Sequence, residues 1–101
     1  MKISYDFHIH TALSPCADEE MTPNNIINMA KIKRLDAIAI TDHNCTMNCK
    51  ALMKCAQKAG IIAIPGMELE TAEEIHIICL LPNIEAADLM QEYVMLSLIH
   101  I

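Results

Sequence analysis

Residues 36–41 read DAIAIT, apolar at nearly every position. A strand wetted on one face alternates polar with apolar side chains. One that does not alternate is buried on both faces, as in a parallel sheet covered by helices. Residues 61–64, IIAI, repeat the pattern. Between these two runs, residues 47–59 carry helical spacing and stop at Gly60, suited to a left-handed helix cap. Upstream, residues 2–8 read as a first strand, with Ile3 and Tyr5 on one face and Ser4 and Asp6 on the other. Thr22 then offers an N-cap and Pro23 a first helical position, ahead of a stripe formed by Ile26, Ile27, Ala30 and Leu35. Pro65 and Gly66 are expected to turn the chain after the third strand. Residues 74–81 make a fourth strand, and Pro82 and Asn83 open a last helix over residues 84–98. The order β-α-β-α-β-β-α predicts an α/β fold built on a parallel sheet with right-handed crossovers. No linker or repeat divides it, so residues 1–101 read as one domain.

Composition narrows the function classes. Hydrophobic residues form 53% of the chain, too many for a disordered segment. The net charge of −6 argues against an extended nucleic-acid surface, which would be basic. It does not exclude phosphorylated substrates, because bound cations reverse the local sign of a site. The five cysteines, an odd number behind a start that reads directly as a strand, are expected to be reduced thiols in a cytoplasmic protein. No apolar run is long enough to cross a membrane, so no membrane partner is expected. The only glycines are Gly60 and Gly66, which disfavours glycine-rich phosphate loops. Ser14 has no Ser-His-acid context in the sequence, which disfavours a serine hydrolase.

Chemistry collects where the strands end. His8 and His10 are separated by one residue, so on a strand they share a face. Active sites of α/β sheets gather at strand carboxyl ends, which favours a ligand role for the pair over two isolated histidines. Asp42 and His43 follow the second strand; Asp42 also suits a turn cap. Glu68 and Glu70 follow Gly66; one reads as a solvated charge, and the carboxylate two residues past Gly66 as a bridge between two metals. His76 lies between Ile75 and Ile77, a core histidine if alone and a ligand if beside a cluster. Nitrogen and carboxylate donors converging at one rim suit Zn²⁺, Mn²⁺ or Fe²⁺. Cys16, Cys45 and Cys49 match no strong zinc spacing and read as ordinary thiols. Lys31, Lys33 and Arg34 form either a solvated helix end or a phosphate anchor. His100 has no partner in view.

These residues bring a family into reach. His8, His10 and Ser14, then Thr41 to His43, then Gly66 to Glu68, then His76, resemble in order and spacing the PHP (polymerase and histidinol phosphatase) domain of metal-dependent phosphoesterases. The resemblance implies a distorted (βα)7 barrel, here its amino-terminal half, because the later His and Asp-x-His pair of the family have no match. It implies two or three divalent ions, Zn, Mn, Fe or Mg. His8 and His10 would hold a first ion, His43 a second and His76 a third. Asp18 would supply a loop ligand, Glu68 would bridge, and Asp6 would orient a histidine. Glu68 and His43 are carried over as the catalytic pair. The implied substrate is a small phosphate ester or nucleotide, and the alternative is an inactive metal-binding module. A partial barrel also leaves an open sheet edge, which favours self-association.

Overall fold

The computed structural model describes residues 2–14 and 17–99. Cys16 and His100 therefore lie outside the described residues. Seven elements follow in the expected order: β1 (Tyr5–Ile9), α1 (Pro23–Ile32), β2 (Ala37–Ile40), α2 (Cys49–Ala59), β3 (Ile62–Glu70), β4 (His76–Leu80) and α3 (Ile84–Ile99). They form a mixed α/β half-barrel whose four strands lie side by side in sequence order.

Local chemistry sets the helix ends. The Thr22 hydroxyl accepts from the Asn25 N–H at 3.4 Å, and Pro23 occupies the first turn of α1. Gly60 ends α2 at φ +72°, a conformation that a side chain disfavours. Helices α1 and α2 cover one face of the sheet. Ile26, Ile27 and Ala30 of α1 and Leu52 and Ala56 of α2 close over Ile38 and Ile40. Burying each such Ile or Leu stabilises the fold by about 1.5–3 kcal/mol. The alternate residues of β2, Ala37 and Ala39, are buried too. The strand is thus covered on both sides, as its unbroken apolar run requires.

Two features depart from the expected parallel sheet. β1, β2 and β3 run parallel, with Ile9 beside Ile40 and Ile40 beside Pro65, but β4 runs antiparallel to β3. The reason is the connection: residues 71–75 form a tight loop with no helix, and only an antiparallel pair closes so short a link. The expected turn at Pro65 and Gly66 is also absent. β3 continues straight through both residues to Glu70. Pro65 lacks an N–H, yet its carbonyl still accepts from Leu81 at 2.8 Å. Gly66 is required by close approach rather than by a turn. A Cβ there would lie 2.9 Å from the Thr41 Cγ2 and 3.0 Å from the Ile40 and Cys79 carbonyl oxygens. Gly66→Ala is therefore expected to destabilise the fold by about 1–3 kcal/mol, read as a lower denaturant midpoint.

The outer strands and the last helix are thinly covered. β1 and β4 are the sheet edges, and Ile75, Ile77, Ile78 and Leu80 are exposed on and beside β4. Helix α3 buries Ala87 and Val94 but exposes Leu89, Tyr93, Met95 and Leu96. No helix among the described residues is long and apolar enough to cross a membrane.

Candidate metal centre

Ile9, Ile40 and Pro65 lie level across β1, β2 and β3, with β3 running on to Glu70, and the candidate residues follow from that register. The pairing of β1 with β2 shifts between Asp6 and Ile9, a bulge-like irregularity. Beyond it Ile9 packs with Ile40 toward the helices, so His8 and His10 on either side face the opposite way. The sheet register carries past β2 to a parallel bridge between His43 and Glu68. Across the antiparallel pair, Glu70 opposes His76, which makes His76 the diagonal neighbour of Glu68.

Glu68 is the hub. Its Oε1 lies 2.5 Å from His8 Nε2 and 3.2 Å from His10 Nε2. Its Oε2 lies 2.6 Å from His76 Nδ1 and 3.3 Å from His43 Nδ1. Two donor groups result: His8, His10 and Glu68, and His43, Glu68 and His76, with the ligand atoms in each within 4.8 Å of one another. One carboxylate thus offers an oxygen to each group. Glu68 is buried, with His8 and His76 at the open side.

Protonation equilibria report the same field. Burial alone would push the Glu68 carboxyl up. Hydrogen bonds from His76 and His8, and the proximity of His43 and His10, outweigh burial and hold it at about 2, below the ordinary 4.5. The bond to Glu68 in turn raises His76.

The residues fit a cation better than they fit protons alone. His8 Nε2 and His10 Nε2 face each other at 3.3 Å while both address the same carboxylate oxygen. Three lone-pair sites converge there. His43 Nδ1 is buried and has no hydrogen-bond partner among the described residues. Such an atom is costly unless something binds it. Nitrogen and oxygen donors in these numbers suit Zn²⁺, Mn²⁺ or Fe²⁺.

Behind the histidines and Glu68 stands a buried polar relay that the sequence reading missed. His10 Nδ1 lies 3.0 Å from the Ser14 hydroxyl, which donates to Asp42 Oδ1 at 2.7 Å. Asp42 also accepts from the Thr11 N–H at 2.7 Å and the Thr11 hydroxyl at 2.6 Å. The Thr11 oxygen accepts from Asn48 Nδ2 at 3.0 Å, so the residue at the start of α2 supports the relay instead of capping its helix. With Ser14 donating to Asp42, His10 Nδ1–H donates to Ser14 and leaves Nε2 a free lone pair toward Glu68. Ser14 does have a histidine and an acid as neighbours in space, correcting the expectation from sequence. The serine sits between them, buried, as a relay and not as an exposed nucleophile. Asp42, too, is a buried acceptor and not a simple turn cap.

Other expected residues stand elsewhere. Asp18 belongs to neither donor group; its carboxylate accepts from the Glu20 N–H at 2.9 Å, closing its own turn. Asp6 Oδ1 accepts from the His8 backbone N–H at 3.0 Å, and among the described residues Asp6 makes no hydrogen bond to a histidine ring. His76 shares its group with His43, where a separate third ion was expected. Glu70 remains exposed, 3.5 Å from His76 Nε2. Cys49 is buried, and burial raises its thiol pKa. Its Sγ contacts the Gly66 carbonyl at 3.5 Å, and Cys45 Sγ accepts from the Met47 N–H at 3.5 Å. Lys31, Lys33 and Arg34 are exposed at the end of α1, which runs into the amino end of β2, away from the ligand rim.

Comparison with known proteins places this constellation. The family model of the PHP domain matches residues 6–99. The chain belongs to the PHP-domain family. Over 90 residues it is 36% identical to the 5′-3′ exoribonuclease Rnm of Salmonella typhimurium, a match covering 84% of this chain and 29% of that protein. It is 33% identical over 76 residues to protein MJ1587 of Methanocaldococcus jannaschii, covering 67% of this chain and 44% of the relative. Among solved structures it resembles an amidohydrolase from Chromobacterium violaceum, determined with sulfate bound and no metal. That match has a TM-score of 0.66 and 29% identity, and covers 76% of this chain and 27% of the other. A candidate metal-dependent phosphoesterase from Bifidobacterium adolescentis shares the fold at a TM-score of 0.62 and 23% identity, over 77% of this chain and 27% of that one. This PHP domain thus spans less than half the length of each of these proteins.

Proposed function

We propose that this PHP domain is a metal-dependent phosphoesterase that cleaves a phosphate ester of a small phosphorylated molecule, a nucleotide among them. The reading rests on one observation: Glu68 turns one oxygen toward His8 and His10 and the other toward His43 and His76. A carboxylate shared in this way is the donor needed to hold two cations side by side. His8 and His10 would hold one, His43 and His76 the other. Bound divalent ions supply charge stabilisation for the phosphoryl oxygens and a water of lowered pKa as nucleophile.

The chain's own residues supply orientation. Asp42, through Ser14, keeps the His10 lone pair aimed at the rim. The exposed edges of His8 and His76 leave the ligand rim open to a substrate from solvent. In a protein of net charge −6, attraction of a phosphate falls to the bound cations. The named activity of the Salmonella relative, an exoribonuclease, supports a nucleotide phosphodiester as the substrate class.

The purified protein with Mn²⁺ is expected to hydrolyse a generic phosphate monoester or diester. The double variant His8→Ala/His10→Ala is expected to lose at least about a hundredfold of that rate, as removing the ligands of one ion should. Activity unchanged in the double variant would refute the reading. Stoichiometric Mn²⁺ binding without turnover of any ester would favour an inactive metal-binding module.

A further inference from the structure

The two halves of the cluster are supported by different parts of the chain. His10 is braced from below by Ser14 and Asp42. His43 lies on a loop that is held from both sides. On the sheet side, the Asn44 N–H donates to the Glu68 carbonyl at 3.0 Å, and Asn44 Oδ1 accepts from the Glu70 N–H at 2.9 Å. Asn44 makes these bonds at φ +51°, a left-handed conformation that asparagine tolerates better than most residues. On the helix side, Gln91 of α3 spans the same loop. Its Oε1 accepts from the Thr46 N–H at 2.6 Å and its Nε2 donates to the Asn44 carbonyl at 3.2 Å. One turn earlier, the Ala87 carbonyl of α3 accepts from the buried Thr46 hydroxyl at 3.1 Å. Among the described residues, α3 makes no side-chain hydrogen bond to His8, His10 or the Ser14 relay.

We propose that Gln91 is a positioning residue for the His43 and His76 half of the metal centre, holding the His43 loop against β3 through Asn44 and Thr46. The proposal rests on the metal-binding reading above. It makes the seating of α3 a determinant of affinity at one half of the centre and not the other. The amide suits this task because it satisfies one backbone donor and one backbone acceptor two residues apart, which no apolar side chain of its size does.

Mn²⁺ titration by calorimetry tests the proposal, with His76→Ala and His8→Ala used to assign the two binding steps. In Gln91→Met, which keeps the shape and removes both polar atoms, the step lost in His76→Ala is expected to weaken about tenfold or more. The step lost in His8→Ala is expected to stay as in the wild type. Gln91→Glu, which keeps the acceptor for Thr46, should fall between. Asn44→Gly, which keeps the left-handed backbone and removes the side chain, should weaken the same step as Gln91→Met. Wild-type binding at both steps in Gln91→Met, or equal weakening of both, would overturn the proposal while leaving the metal centre itself intact. If Gln91→Met does not fold, Asn44→Gly decides by the same two outcomes. A wild-type protein that bound no Mn²⁺ would remove the metal-binding reading and this proposal together.

Discussion

Glu68→Gln is expected to abolish both cation-binding events, each weakened by more than about a hundredfold, where loss of any one histidine should weaken mainly one. The amide keeps the size of the side chain but replaces a carboxylate oxygen with an N–H₂ donor. It would present hydrogens where a pair of imidazole nitrogens now converges on an anionic oxygen. It also removes the negative charge at the centre of four histidines, to which two cations would be drawn. Titration calorimetry with Mn²⁺ reads the effect directly. Survival of one full-affinity event in Glu68→Gln would assign the carboxylate to only one half of the cluster.

Asp42→Ala is expected to be the most damaging single change to stability, about 3–5 kcal/mol. Asp42 is 1% exposed and accepts three hydrogen bonds, from the Thr11 N–H, the Thr11 hydroxyl and the Ser14 hydroxyl. Truncation leaves those donors buried without an acceptor, at about 1–3 kcal/mol for each that finds no water. Thr11 and Ser14 are themselves 0% and 2% exposed, so rescue by solvent is limited. Urea unfolding would give the loss as a shift in midpoint with an unchanged slope. The same variant should bind the His8 and His10 cation about ten- to a hundredfold more weakly even where it remains folded, because Ser14 loses the acceptor that orients it toward His10 Nδ1. A stability loss below about 1 kcal/mol would mean that the relay is not buried in solution as it is here.

Much of this was legible in the sequence, for physical reasons. The unbroken apolar run at Ala37–Ile40 could only be a strand covered on both faces, and it is. Thr22 and Pro23 marked the start of α1, and helical spacing with Gly60 marked α2 to within two residues. The strand-end histidines announced themselves by spacing, since an alternating backbone puts His8 and His10 on one face. Other parts depended on geometry that no local pattern encodes. The antiparallel course of β4 follows from how the loop at residues 71–75 closes. Pro65 and Gly66 looked like a turn, because the signal for a turn and the signal for a tight strand crossing are the same residues. Gly66 is there so that Thr41 and two carbonyls can approach.

The support behind the ligands was harder still. Ser14 meets Asp42 across 28 positions of sequence, and Gln91 meets Thr46 across 45. One clue was available: an acid directly after an all-apolar strand, as Asp42 is after Ile40 and Thr41, enters the fold at the edge of the core and needs several donors there. The family resemblance, and no local pattern, carried Asp18 over as a loop ligand. Loop carboxylates commonly bond their own backbone two residues on, and Asp18 does so with Glu20.

Whether Glu68 joins two cations is tested most directly by electron paramagnetic resonance of the protein loaded with two equivalents of Mn²⁺. Two ions sharing one carboxylate should give a broad, exchange-coupled multiline spectrum. That spectrum should collapse in Glu68→Gln. Two equivalents bound with only the six-line signal of isolated Mn²⁺ would contradict the account, because the ions would then occupy unconnected sites.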